Sequence, residues 1–299
     1  SERMSVEANT GTEAAGALDA SGPAAARRER FRLLLRSPTF LVGASVLLFW
    51  IVCALFGKDF VPVDPFDTDL LNLLMPPDAD HWFGTDSLGR DVFSRVIVGS
   101  RDILTIAPLA TLLGTILGTA VGLIVGYFRG IVDDTVSRLV DAVLALPLII
   151  VAVLCLVSLG TSSVTVVVVI GVVFAPIIAR TVRTAVMLER ELDYVAEAKL
   201  RGENAFYIMF IEILPNVMPP ILVEMTVRLG YGIFTVATLS FLGFGIQPPS
   251  ADWGLAISAS YGMINGGSWW TVLYDALAIA SLVVAVNLVA DAIHGVFET

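Results

Sequence analysis

The chain has 299 residues, of which 56% are hydrophobic and 15% are charged, and its formal net charge is −10. The mean hydropathy of +0.83 and the long uncharged runs exclude a soluble domain with a single core, because about 20 apolar residues already cross a bilayer. The sequence also offers no basic surface for nucleic acid. These features predict an all-α polytopic membrane protein.

The N-terminal tail, residues 1–30, is rich in small and polar residues, and we expect it to be disordered. Residues 31–57 predict an interfacial turn and the first membrane-spanning helix, and residues 103–299 predict a core of five more. A turn at Gly160-Thr161-Ser162-Ser163 divides an uncharged run of 38 residues into two spans. The six predicted spans lie near 38–57, 103–127, 140–159, 163–186, 217–245 and 272–292.

The segment 58–102 is the longest predicted connection between spans, and it holds nine Asp against four basic residues. The tail and the later polar loops are rich in arginine, so the positive-inside rule places them in the cytoplasm and the segment outside. Six spans then put both termini in the cytoplasm. Within the segment, residues 90–99 predict a short helix with one apolar face. This helix can lie on the membrane surface or cap the helical bundle.

Residues 193–216 read DYVAEAKLRGENAFYIMFIEILPN and form a polar island in the predicted cytoplasmic loop 187–216. Glu197 and Arg201 are four residues apart in the order that favours a helical ion pair. Gly202 predicts a helix stop, and Asn204 predicts the N-cap of a second helix. The sequence therefore predicts two helices joined at a glycine, and we call residues 193–216 the elbow.

The second half of the elbow places four apolar residues at helical spacing, and Pro215 predicts a turn into the fifth span. We expect this face, formed by Phe206, Met209, Phe210 and Ile213, to pack on the base of the bundle. The first half then projects outward. Two interpretations fit it: a helix that docks into a partner's groove, or a solvated loop.

Two charged residues, Glu224 and Arg228, lie deep in the predicted fifth span, where a charge is costly. They are four residues apart and can pair across one helical turn. One interpretation is a stabilising pair that faces the protein interior. The other, which we favour, is that they line a solute pathway and offer counter-charges to the charged termini of a peptide.

Small residues recur every fourth position in the second span, which predicts close approach of another helix. This helix can belong to the same chain or to a partner, and the row comprises Gly114, Gly118, Gly122 and Gly126. Aromatic residues cluster around the last predicted outer loop and suggest interfacial anchors, with contact to a binding protein as a second interpretation. They are Trp253, Trp269, Trp270 and Tyr274.

Three stretches resemble known permease motifs. The elbow resembles the EAA loop of permease subunits of ATP-binding-cassette importers, since Ala198, Gly202 and the Leu214-Pro215 pair keep the spacing of that loop. The stretches HWFGTDSLGRDVFSRVIVGSR at 81–101 and LSFLGFGIQPPSADWG at 239–254 closely resemble the C-type subunit of the dipeptide/oligopeptide/nickel permease family. Together the matches extend from about residue 30 to the end.

The elbow departs from the EAA pattern at three positions. Ala196 stands at the usual glutamate position, Glu197 at the first alanine position, and Glu212 at the usual isoleucine or histidine position. A partner contact of the family's glutamate therefore does not carry over to this chain.

The resemblance implies a type I importer permease fold, with a second permease subunit, two cytoplasmic ATPases and an extracytoplasmic substrate-binding protein as partners in the bilayer of a bacterial or archaeal cytoplasmic membrane. It implies no catalysis, cofactor or metal on this chain. The sequence lacks a Walker A loop, so ATP and Mg²⁺ are expected on the partner ATPases. The resemblance implies ATPase coupling through Tyr194, Glu197, Ala198, Lys199, Arg201, Gly202, Phe206 and Pro215.

We therefore expect a permease subunit of an ATP-driven importer of dipeptides or oligopeptides. Nickel or another small solute is the alternative within the family, because the motifs lie outside a solute site. A stand-alone secondary transporter or channel is an alternative of another class, and it predicts internal repeats and transport without ATP. A membrane-bound enzyme lacks support, since the sequence shows no cluster of nucleophile and base or of metal ligands.

Overall fold

The computed structural model describes residues 34–297, so the predicted disordered tail at 1–30 lies outside the described residues. Within this range the secondary structure is helical, apart from one isolated β-bridge between Thr85 and Asp91. The principal helices are α1 (Pro38–Phe60), α2 (Val92–Phe128), α3 (Ile131–Leu144), α4 (Leu148–Leu159), α5 (Ser163–Glu189), α6 (Asp193–Leu200), α7 (Leu214–Phe241), α8 (Trp253–Ser260) and α9 (Trp270–Phe297).

The described residues contain five helices that are long and apolar enough to cross a membrane, or six if α3 and α4 together form one span. The predicted third span at 140–159 differs from the structure, since the chain bends by 89° between α3 and α4. Pro147 lacks an amide N–H and disfavours helical geometry in the residue before it, which breaks the helix here. The 12 residues of α4 rise about 18 Å, less than a bilayer core of about 30 Å.

Residues 90–99 do not form the predicted separate short helix, and of its two expected placements the structure shows packing on the bundle and not on the membrane surface. These residues form the start of α2, which runs unbroken for 37 residues and begins where the Asp91 carboxylate accepts a hydrogen bond from the Ser94 amide at 2.8 Å. The apolar side chains that suggested a surface helix are covered by protein, with Val92 and Val96 only 3% and 4% exposed. A helix of this length rises about 55 Å, so it extends beyond the hydrocarbon core.

The small-residue row of α2 packs against α5 of the same chain. A Cβ atom added at Gly118 would lie 2.7 Å from the Cβ of Ile178, and one added at Gly122 would lie 2.6 Å from the Cβ of Val182. The row therefore serves packing within the subunit, and the partner contact is not needed to explain it.

The buried tryptophans differ from the interfacial anchors expected from the sequence. Trp253 is fully buried and donates its indole N–H to the Val96 carbonyl at 2.8 Å. Trp270 is 8% exposed and donates to the Thr85 carbonyl at 3.1 Å, whereas Trp269 remains 48% exposed. A buried indole needs a hydrogen-bond acceptor, and these two find backbone carbonyls that fasten α2 and the segment before it to α8 and α9.

Candidate coupling site

The elbow has the hinge that its sequence predicts. Helix α6 ends before Gly202, whose φ of +81° lies in the left-handed region that favours glycine. The Gly202 amide donates to the Lys199 carbonyl and the Glu203 amide to the Ala198 carbonyl, which is a Schellman motif. Asn204 then accepts a hydrogen bond from the Tyr207 amide at 2.8 Å, as predicted for an N-cap.

The second half of the elbow differs from the predicted helix and turn. A short helical turn at Ala205–Tyr207 passes into a π-helix at Ile208–Ile213 and then directly into α7, without a turn at Pro215. A π-helix adds one residue to a turn and shifts the side chains that follow. Of the predicted inward face, Met209 and Ile213 are buried as expected, and Ile208 joins them, whereas Phe206 is 67% exposed.

The inner face of α6 is anchored to the bundle. Val195 and Ala198 are fully buried, and the Tyr194 hydroxyl donates to the Glu189 carboxylate at 2.7 Å. Burial, followed by the hydrogen bond to Glu189, raises the pKa of Tyr194 to about 12. Tyr194 therefore remains a protonated donor at neutral pH and fixes α6 to the end of α5.

Tyr127, at the end of α2, is a contact of the elbow that sequence reasoning missed. The Arg190 guanidinium donates to the Tyr127 carbonyl, and the Lys199 ammonium lies 5.7 Å from the centre of the Tyr127 ring. The elbow thus contacts α2 as well as α5. No local pattern predicts this contact, because more than 60 residues separate Tyr127 from its partners.

The outer surface of the elbow mixes charged and apolar side chains. Glu197 and Lys199 are exposed, and Leu200 is 88% exposed. Arg201 pairs with Glu212 at 2.9 Å, and not with Glu197 as its spacing predicts. Glu212, the residue that departs from the family pattern, therefore ties the two halves of the elbow together. The buried Ala198 has no access to a partner in this arrangement.

The two charged residues of α7 pair across one helical turn, as predicted. The Arg228 Nε lies 2.6 Å from Glu224 Oε1, and both side chains are mostly buried. Thr181 of α5 donates to Glu224 Oε2 at 3.3 Å, and the Arg228 guanidinium lies 5.1 Å from the centre of the Tyr231 ring. Tyr231 is 58% exposed, so the pair lies just beneath an open face of the subunit.

An open groove of about 650 Å³ leads from the elbow toward this pair between α5 and α7. Thr181 lines the groove and also contacts Glu224, which connects the two features. Several other polar groups share the walls, so the groove has hydrogen-bonding capacity along its length. Its lining comprises Arg180, Thr181, Thr184, Ala185, Leu188, Glu189, Asn216, Val217 and Pro220.

Comparison with known proteins identifies the family. Residues 118–299 match the family described as the binding-protein-dependent transport system inner membrane component. The chain belongs to this family. Residues 27–77 match a second family, described as the N-terminal transmembrane domain of oligopeptide transport permease C, which confirms the C-type resemblance. The protein is therefore a multi-pass transport permease of the cytoplasmic membrane.

Relatives of this permease align over most of its length. The dipeptide transport system permease protein DppC of Alkalihalophilus pseudofirmus is 35% identical over 91% of this chain and 89% of the relative. The di/tripeptide transport system permease protein DppC of Pseudomonas aeruginosa is 35% identical over 86% and 87%. The glutathione transport system permease protein GsiD of Salmonella paratyphi A is 37% identical over 91% and 89%.

The fold is that of an importer permease. A solved chain of the MetNI methionine ABC transporter, in inward-facing conformations, matches this permease with a TM-score of 0.56 and 23% identity. The match covers 68% of this chain and 96% of the solved chain. It confirms the predicted fold class.

Proposed function

We propose that this permease forms half of the translocation pathway of an ATP-driven importer of dipeptides or oligopeptides. The names of its relatives support peptides as the solute class. The structure of the elbow supports the proposal that this subunit couples to ATP hydrolysis. It presents an exposed helix that is fixed to α5 through Tyr194 and lies against α2 through Lys199, so a push on α6 reaches two membrane helices.

The elbow needs partners to perform this role. The elbow docks onto one of two cytoplasmic ATPase subunits. These subunits bind ATP and Mg²⁺, and this chain carries no catalytic site. The exposed Leu200 and Phe206 give a docking partner apolar surface, and Glu197, Lys199 and Arg201 give it charges. A second, homologous permease subunit completes the pathway, and a binding protein delivers the solute. Both termini and the elbow are then cytoplasmic, in keeping with the arginines of the N-terminal tail and the basic residues Lys199 and Arg201 of the elbow.

We assign Glu224 and Arg228 to the solute pathway. The support is their position between the open groove and the exposed Tyr231, since a purely structural pair has no need of an accessible neighbour. A peptide presents an ammonium and a carboxylate, and this pair offers the complementary charge to each. The groove then forms the route between the pair and the elbow side of the membrane.

Reconstitution tests the solute class. The permease with its co-purifying subunits and binding protein should show ATPase activity that rises with a dipeptide and not with Ni²⁺, and uptake into liposomes that requires ATP. A rise with Ni²⁺ alone would assign the chain to the metal branch of the family. Dipeptide flux without ATP would contradict the proposed coupling.

The variant Arg228→Ala tests the pathway. In complexes that still assemble, we expect peptide uptake to fall at least about tenfold, the effect of losing one hydrogen bond to a charged group. Arg138→Ala is the matched control, since Arg138 is exposed on α3. Unchanged uptake in Arg228→Ala would remove the pair from the pathway.

A further inference from the structure

A second cavity lies at the end of the bundle opposite the elbow. We call residues 61–91 the cap segment, and the cavity, of about 240 Å³, lies between this segment, the loop 246–252, α8 and α9. Its rim is exposed and mostly apolar, with Leu88, Pro248 and Pro249 at the surface. Its floor is buried and charged, and we call the cavity the Asp275 pocket. The floor includes Asp86, Arg95, Ser250, Ser260, Thr271 and Asp275.

Two of the floor residues are fully engaged by the protein. Asp86 accepts from the Arg90 side chain at 2.7 Å and from the Arg90 amide at 3.0 Å. Arg95 donates to the carbonyls of Pro65 and Ser250, both at 3.1 Å, and lies 3.7 Å from Asp86. These contacts hold the walls of the pocket in place.

Asp275 is different, because the protein leaves part of it without a partner. Its side chain is 3% exposed and lines the pocket, and its Oδ1 atom has no hydrogen-bond partner among the described residues. The nearby Arg95 forms its ion pair with Asp86 and not with Asp275. A buried carboxyl group without a donor is costly, and because Asp275 lines the pocket, a donor from outside the chain can reach its carboxyl group there.

The pocket is also surrounded by one more carboxyl group than guanidinium groups. Arg90 and Arg95 are the cations, and Asp86 and Asp275 line the pocket with them. Asp252 is fully buried, acts electrostatically on Asp275, and also has an oxygen without a partner. Three carboxyl groups therefore face two guanidinium groups, and a bound cation would stabilise the ionised form of the third. Water alone would fill the space but would not supply this charge.

We infer that the Asp275 pocket binds a primary ammonium group. An ammonium carries one positive charge and three donors but no acceptor, which matches a floor that lacks one cation and lacks donors. An anion would meet the unpaired Asp275 carboxylate. A metal ion fits poorly, since the described part of the chain contains no group of three His, Cys, Asp or Glu side chains able to hold one.

Two sources can supply such a group on the side of the membrane opposite the elbow: the amino terminus of a peptide solute, or a lysine of the binding protein. The exposed acidic residues of the cap segment would attract either one, and they are Asp64, Asp67, Asp69, Asp78 and Asp80. The pocket itself does not depend on the proposed function, whereas the choice between the sources rests on it.

Calorimetric titration of the whole complex in nanodiscs tests the pocket with n-butylammonium as the probe. We expect saturable binding by the wild type and affinity at least about tenfold lower in Asp275→Asn, as for the loss of one charge-assisted hydrogen bond. Butyltrimethylammonium has the same charge but no N–H, and should not bind. Asp80→Asn, an exposed change in the cap segment, should bind as the wild type does. Absence of saturable wild-type binding, or equal affinity in Asp275→Asn, overturns the inference.

A second variant guards against a folding defect in Asp275→Asn. Leu88→Lys places a tethered ammonium at the rim, where Leu88 is 43% exposed, and it should fill the pocket and abolish probe binding. Leu71→Lys adds the same group at a position in the cap segment that is 93% exposed, and should leave binding intact. Normal probe binding by Leu88→Lys contradicts the inference whatever Asp275→Asn does.

Two assays of Leu88→Lys then identify the source. If the solute supplies the ammonium, uptake of a dipeptide falls while the affinity of the solute-free binding protein is unchanged. If a lysine of the binding protein supplies it, that affinity falls. If neither changes, no ammonium-bearing partner uses the pocket and the inference fails. Wild-type uptake with and without ATP in the same liposomes reports separately on the proposed function.

Discussion

The two ends of this permease treat charge in opposite ways. At the elbow, the Arg201–Glu212 pair and the neighbouring Glu197 and Lys199 lie at the surface, and Arg201 is 51% exposed. At the other end, Arg95 is 4% exposed and pins the cap segment to the loop before α8 through two backbone carbonyls. Charges in water exchange partners at little cost, whereas buried charges must be matched.

This difference in the burial of charge distinguishes a surface that can exchange partners from a cluster that holds helices in fixed positions. In the proposed function the elbow docks and undocks a partner, and its charges contribute little to the stability of the subunit because they are exposed. The buried cluster holds α2, α8 and α9 in one arrangement. We therefore expect substitutions at the pocket end to change stability most and substitutions at the elbow to change coupling most.

The largest stability effect is expected for Arg95→Met. The change removes the cation beside Asp86 and leaves two buried carbonyls without donors, so the free energy of unfolding should fall by about 3–5 kcal/mol. Tryptophan fluorescence during denaturant titration in detergent measures it. Arg101→Met, at an exposed position, should stay within about 0.5 kcal/mol of the wild type. Equal effects of the two changes would contradict the comparison.

The next effect depends on pH. Burial raises the pKa of Asp252 to about 6, although the Leu255 amide bonds to its carboxylate. Because the pKa is higher in the folded chain than in the unfolded chain, stability should fall by about 2 kcal/mol as the pH rises from about 4 to about 6. Denaturant titrations across this range measure the slope.

Asp252→Asn should remove that slope, since asparagine can still cap α8 but does not titrate. Asp80→Asn is the control and should leave the slope in place, because Asp80 is exposed. A slope that persists in Asp252→Asn would assign the pH dependence to another group.

A smaller effect is expected at the hinge of the elbow. Gly202→Ala forces a residue with a Cβ atom into the left-handed region, which costs about 1–2 kcal/mol. No atom lies within 4 Å of the added Cβ, so the cost is conformational and should be smaller in Gly202→Asn. Peptide transported per ATP hydrolysed should fall more in the alanine variant than in the asparagine variant. The reverse order would contradict this account of the hinge.

The smallest stability effect is expected for the Arg201–Glu212 pair. Each alanine substitution, and the double substitution, should change the free energy of unfolding by no more than about 1 kcal/mol, because the pair is solvent-screened. The amount of peptide transported per ATP should nevertheless fall, since the pair joins the two halves of the elbow. A double-mutant cycle for both quantities separates the two effects. A coupling free energy for this pair as large as the loss of stability expected for Arg95→Met would contradict the difference between the two ends.

The sequence by itself determined the helical membrane class, the family and the local features of the elbow. Gly202 and Asn204 act through their own backbone and side-chain preferences, so their roles as hinge and N-cap follow from neighbours within five residues. The Glu224–Arg228 pair is equally local, because both residues lie on one helical turn.

Only the tertiary structure decided which surfaces are covered and which charges have partners. The sequence suggested that Trp253 is an interfacial anchor and that Val92 belongs to a surface helix. In the structure both side chains are buried in protein at one end of α2. The contact of Arg190 with Tyr127 and the unpartnered oxygen of Asp275 arise between residues distant in the chain. The physical reason is that a helical period records which side of a helix is apolar, but not whether lipid or protein covers it.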